Sequence, residues 1–75
     1  VSDLNRYYKR IRLALHIDEA DVVEICALGG KRITKSRCEM WGKATDSPKF
    51  REMTPDEMDA FTKGLVQWFD QQVAI

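Results

Sequence analysis

Lys31, Arg32, Lys35, Ser36, Arg37 and Lys43 crowd one short stretch of a 75-residue chain. Lysine and arginine in such a cluster can neutralise phosphates. The cluster surrounds the expected start of a helix, where free N–H groups and the positive end of the dipole also favour anions. The stretch from Asp21 to Lys43, DVVEICALGGKRITKSRCEMWGK, reads as two helices joined at a glycine turn. In a DNA-binding helix-turn-helix the second helix lies in the major groove while the first crosses the backbone. The pattern therefore predicts double-stranded DNA as a partner, met by those six residues. The usual turn has about 3–4 residues. Gly29 to Ile33 is longer, and it moves Cys38 and Trp41 out of the usual register. Because basic residues on a solvated helix face need no ligand, a protein-interaction module without nucleic-acid binding is the alternative.

A second basic cluster, Arg6, Lys9, Arg10 and Arg12, falls on the first predicted helix, with Leu13 among its charges. Met40 is expected to face outward, opposite Cys38 and Trp41. Two apolar residues outside so small a core point to a partner protein, and a second copy of the chain is the expected one. No Ser/His/Asp or Cys/His arrangement has a workable spacing, and no glycine loop precedes a Lys-Ser/Thr pair. Neither an enzyme nor a small-molecule substrate or cofactor is expected. Asp56, Glu57 and Asp59 look like paired carboxylates, but they fall in the first turns of a helix, where acids favour the positive end. Cys26 and Cys38 are not in a C-x-x-C arrangement and read as small buried hydrophobes. His16 is the sole histidine, so no zinc ligand set is expected.

The net charge is zero, yet it is unevenly placed. Residues 1–43 carry nine Lys/Arg against six Asp/Glu, and residues 44–75 carry three against six, so the halves stand at +3 and −3. No apolar run approaches the roughly 20 residues of a membrane span. The opening residues, Val1 to Arg6, hold no apolar segment behind a basic start, so a secretory signal is not expected and a cytoplasmic location is. A single domain over residues 1–75 should have a stability on the order of 4–11 kcal/mol.

The elements that must position these side chains announce their own beginnings. Ile17-Asp18 before Val22, Ile33-Thr34 before Cys38, and Met53-Thr54-Pro55 before Met58 each place an apolar residue, a capping side chain and an apolar residue at the spacing of a hydrophobic staple. Thr54 and Glu57 also form a capping box, with Pro55 at the first helical position. Apolar spacings of three and four predict a first helix from about Asp3 to Leu15, and a second from Asp18 to the Gly29-Gly30 stop. The third should run from Thr34 to about Ala44, with Cys38, Trp41 and the flanking Thr45 turned inward. The fourth, after Thr54, carries Met58, Phe61, Leu65, Trp68, Phe69 and Val73 on one stripe. Gly64 on its flank predicts close approach by another helix. The expected fold is all-α, a compact four-helix domain with a helix-turn-helix-like central pair. Its expected core is Leu4, Tyr8, Ile11, Leu15, Val22, Ile25, Leu28, Cys38, Trp41, Phe50, Phe61, Leu65, Trp68 and Phe69.

Several blocks also carry a family likeness: Arg10-Ile11-Arg12-Leu13-Ala14-Leu15, Val23 to Gly30 with its A-L-G-G, Ile33-Thr34, Trp41, Phe50, and Phe61-Thr62-Lys63-Gly64-Leu65. Together they make the chain resemble the bacterial YehS-like domain of unknown function over nearly its whole length. The resemblance implies no activity or catalytic residues. It does imply a unit often found in tandem, of which this chain has one copy, so that a homodimer could supply the second.

Overall fold

The computed structural model describes residues 3–73, with side chains to Gln71. Four helices follow one another, α1 (Leu4–Leu15), α2 (Glu19–Leu28), α3 (Lys35–Trp41) and α4 (Pro55–Val73), and no strand occurs among the described residues. The domain is all-α. Val73, expected on the α4 stripe, lies outside the residues whose side chains are described.

The three predicted starts form as their chemistry dictates. The Asp18 carboxylate accepts from the Asp21 N–H at 2.9 Å, and the Asp21 carboxylate accepts in return from the Asp18 N–H at 3.3 Å. Thr34 Oγ1 accepts from the Arg37 N–H at 3.2 Å. Thr54 Oγ1 accepts from the Glu57 N–H at 3.2 Å, while Glu57 Oε1 accepts from the Thr54 N–H at 2.8 Å. Ile17 and Val22, Ile33 and Cys38, and Met53 are buried, and Met58 packs half-buried against them, so each staple places apolar surface in the one core. Helix α2 stops because Gly30 takes φ +96°, letting the Gly30 N–H reach Ala27 O and the Lys31 N–H reach Cys26 O, both at 3.0 Å.

Helix α4 packs most extensively on α2. Tyr8 brings α1 to that pair: its ring meets Trp41 edge-on at 5.2 Å and Phe61 at 5.3 Å, and all three are fully buried. Aromatic pairs of this geometry add roughly 0.5–1.5 kcal/mol beyond the area they bury. A polar residue completes the attachment. Buried Asn5 donates from Nδ2 to Trp41 O at 3.1 Å and Arg51 O at 3.0 Å, and its Oδ1 accepts from the Met53 N–H at 2.8 Å.

Several sequence expectations are corrected. Leu15 is 38% exposed, because His16 turns the chain through a left-handed φ of 55° and Ile17 takes the core position instead. Phe69 is exposed and packs edge-on against Trp68 at 5.2 Å. The reason is angular: Trp68 turns to α2, where its Nε1 donates to the Glu24 carboxylate at 3.0 Å, and Phe69, one residue on, points about 100° further round α4. Helix α3 ends at Trp41 rather than near Ala44, and Thr45 is exposed. The Met40 carbonyl that Ala44 would need takes the Lys43 and Arg51 N–H groups instead. Met40 itself is half-buried beside that returning loop, not turned outward. Leu4, Ile11, Leu65 and Trp68 are half-buried and pack against the core, whereas Leu28 and Phe50, also expected inside, are half-buried outside it, Leu28 at the end of α2 and Phe50 in the loop before α4.

Candidate nucleic-acid interface

Helix α3 begins with Lys35, Ser36 and Arg37, whereas α2 and α4 carry acids in their first turns. Lys31, Arg32, Lys35, Ser36 and Lys43 are exposed, and none of their cationic side chains has an ion pair among the described residues. The connection between α2 and α3 runs from residue 29 to residue 34. It is longer than the roughly 3–4 residues of the usual helix-turn-helix.

Arg37 stands apart from the other five. Its Nε and Nη2 reach the Glu57 carboxylate at 2.5 and 3.2 Å, and its guanidinium carbon lies 6.0 Å from the Trp41 ring centroid. Glu57 is buried, with 3% of its surface exposed. Burial alone would raise this carboxyl's pKa, but the hydrogen bonds from Arg37 and Thr54 outweigh it and hold the pKa below the usual carboxylate range. The bond to Glu57 in turn raises the Arg37 pKa further. Arg37 is therefore a strut between α3 and the first turn of α4, with its charge matched inside the domain. No sequence signal joined the two residues. The capping box explained why an acid stands at position 57, and only the packing of α3 on α4 supplies its second partner.

The two basic clusters meet. Lys9 Nζ donates to the Lys43 carbonyl at 3.2 Å, which ties the basic side of α1 to the end of α3. One shallow cavity beside that contact is bordered by Arg6, Lys9 and Arg10 with Asp3, and another by Lys43, Lys49 and Arg51 with Glu39, so cations outnumber acids three to one in each. Lys49 and Arg51 were not among the residues expected at the site, since their place depends on how the loop after α3 returns. Arg12 is otherwise engaged: it pairs with Glu19 at 3.3 Å, donates to Ile17 O at 3.2 Å and lies over the Tyr8 ring. Leu13 is 77% exposed next to these cations.

The thiols offer little reactivity. Cys26 and Cys38 are free and buried, and burial pushes their pKa values up to about 12 and about 11. A neutral buried thiol is a poor nucleophile and a poor metal ligand at ordinary pH. Among the described residues, no three His, Cys, Asp or Glu side chains converge as a metal site, and no helix is long and apolar enough to cross a membrane.

These features define a small all-α domain with a cationic face around α3. Residues 5–68 match the family described as "Protein of unknown function (DUF1456)", which covers most of the chain, and the protein belongs to that family. No match was found among curated proteins or among solved structures.

Proposed function

We propose that the domain binds double-stranded DNA through α3 and the basic surface beside it. The observation that carries this reading is the Lys9–Lys43 contact, which makes the basic residues of α1 and α3 neighbours. Lys31, Arg32, Lys35, Ser36 and Lys43 are the contacting residues, and Arg37 acts indirectly by holding α3 on α4. The cations at the start of α3 oppose its dipole, a local cost that a bound phosphate offsets. On this reading the protein is a bacterial, cytoplasmic, YehS-like regulatory domain without enzymatic activity, and it acts as a dimer.

Binding to a random-sequence duplex at about 50 mM salt tests it, because affinity carried by phosphate contacts falls steeply as salt rises. The Arg32→Ala/Lys35→Ala variant should bind more weakly with an unchanged melting temperature, and each lost phosphate contact should lower the salt slope by about one. A wild type that leaves duplex unbound at that salt removes the reading. The second reading, a protein-interaction module, is favoured by one observation, the exposed Leu13. It predicts a dimer mass in light scattering that Leu13→Ser reduces to monomer, with no duplex bound.

A further inference from the structure

The outer side of α1 and the loop after α3 enclose a groove of about 440 Å³, within the roughly 300–1,000 Å³ of small-ligand clefts. Its inner wall is formed by half-buried Phe50 and buried Asn5, and its rim by exposed Asp3, Arg6, Lys9, Arg10 and Thr45. An aromatic ring, three cations and one carboxylate thus border one concavity, and the carboxylate is matched by Arg6, which leaves Lys9 and Arg10 as its uncompensated charges.

The wall is held in place before any ligand arrives. The Phe50 N–H bonds Ser47 O at 3.1 Å, and the Arg51 N–H bonds Met40 O at 3.3 Å. Arg51 Nη1 donates to the Phe50 carbonyl at 2.8 Å, and Asn5 holds the Arg51 carbonyl. Asn5 is thereby a support for the loop carrying Phe50. On the rim, Arg6 is paired with Asp3. Lys9 uses one donor on Lys43 O, leaving two of the three an ammonium carries. The Arg10 guanidinium has no partner among the described residues.

We infer that this groove takes single-stranded nucleic acid, with one base against the Phe50 ring and the neighbouring phosphates on Lys9 and Arg10. Stacking on an aromatic wall beside a cationic track is how unpaired strands are held without sequence preference. A base inside a duplex is already stacked on its neighbours and cannot lie against a ring within a groove. An acidic peptide would use the same cations, but it would leave the aromatic wall without a planar partner. The inference rests on reading this face as a nucleic-acid surface, and it is independent of the duplex contacts assigned to α3.

Fluorescence anisotropy with labelled oligothymidylate of about 12 nucleotides, a length within the range of single-strand sites, and with a random-sequence duplex tests the two separately. Phe50→Leu, which keeps apolar volume without a ring, should weaken oligothymidylate binding about 5- to 100-fold and leave duplex binding unchanged. Phe50→Tyr should bind like wild type, and melting of all three proteins checks that each is folded. Oligothymidylate bound equally by Phe50→Leu overturns the groove, and duplex binding lost on Arg32→Ala/Lys35→Ala then leaves the α3 reading standing. Ring-dependent oligothymidylate binding with no duplex binding supports the groove and removes the α3 reading. Binding of neither probe overturns both. Displacement of oligothymidylate by polyglutamate, equally effective with wild type and Phe50→Leu, assigns the groove to acidic peptides and overturns the inference.

Discussion

Gly64 of α4 lies so close to Ile25 of α2 that a Cβ at position 64 would stand 1.7 Å from the Ile25 carbonyl oxygen. One turn away the relationship is reversed: a Cβ at Gly29 would stand 1.7 Å from the Ala60 carbonyl oxygen. Two glycines facing backbone from opposite sides fix how closely the two helices approach. That crossing buries Ile25, Cys26, Ala60 and Phe61 together and sets where α4 begins relative to α3.

Gly64→Ala should therefore destabilise the domain by about 2 kcal/mol or more. Overpacking typically costs about 1–3 kcal/mol, and here the obstacle is a backbone carbonyl, which cannot swing aside. The helix-propensity gain of about 1 kcal/mol for replacing glycine offsets only part of it. Urea denaturation reads the sign directly. Should the variant be more stable than wild type, the close approach is wrong.

The helix starts were legible because each is a local pattern: Asp18, Thr34 and Thr54 bond backbone N–H groups three residues on. Tyr8, Val22, Ile25, Cys38, Trp41 and Phe61 were legible from periodicity, and Gly64 from its place on the flank of an apolar stripe. Leu15 and Phe69 misled because an apolar stripe does not say how far round the helix the buried face extends, nor where the chain turns away from it. Asn5, and the pairing of Arg37 with Glu57, were hidden for another reason. Their partners lie 20 or more residues away, so the bonds exist only once α1, α3 and α4 have been brought together.

Asn5→Ala should cost about 3 kcal/mol, since an unsatisfied buried donor or acceptor costs roughly 1–3 kcal/mol and three are released here. Against a total on the order of 4–11 kcal/mol this leaves a marginal fold. Hydrogen exchange should locate the damage in the segment from Trp41 to Met53. A loss of less than about 0.5 kcal/mol, the range of ordinary surface substitutions, would mean that the amide does not clamp the loop.

The two thiols should be inert in the folded protein. With pKa values of about 12 and about 11, both remain protonated at pH 8, and both are shielded from solvent. Labelling with a disulfide reagent should follow the rate or extent of unfolding, and both should react at once in denaturant. Rapid labelling of the native protein would show that the α2–α3 contact opens far more readily than its burial indicates.

The Arg37–Glu57 strut predicts a direction of pH dependence. The Glu57 carboxyl is lowered in the folded protein, whereas in the unfolded chain it titrates near about 4.3. Below that value the unfolded state binds more protons, so the stabilisation is complete at higher pH and is lost as pH falls through the folded pKa. Glu57→Gln keeps an oxygen for the Thr54 N–H but removes the charge. Arg37 is partly exposed and can recover solvent, so the expected loss at pH 7 is modest, about 1–2 kcal/mol. The gap between wild type and variant should narrow below about pH 4, as the wild-type carboxyl becomes protonated. Urea titrations at pH 7, 4 and 3 measure it. No gap at any of these pH values would mean that the Glu57 charge adds nothing beyond the cap that glutamine keeps, and would leave Arg37 free to meet a ligand.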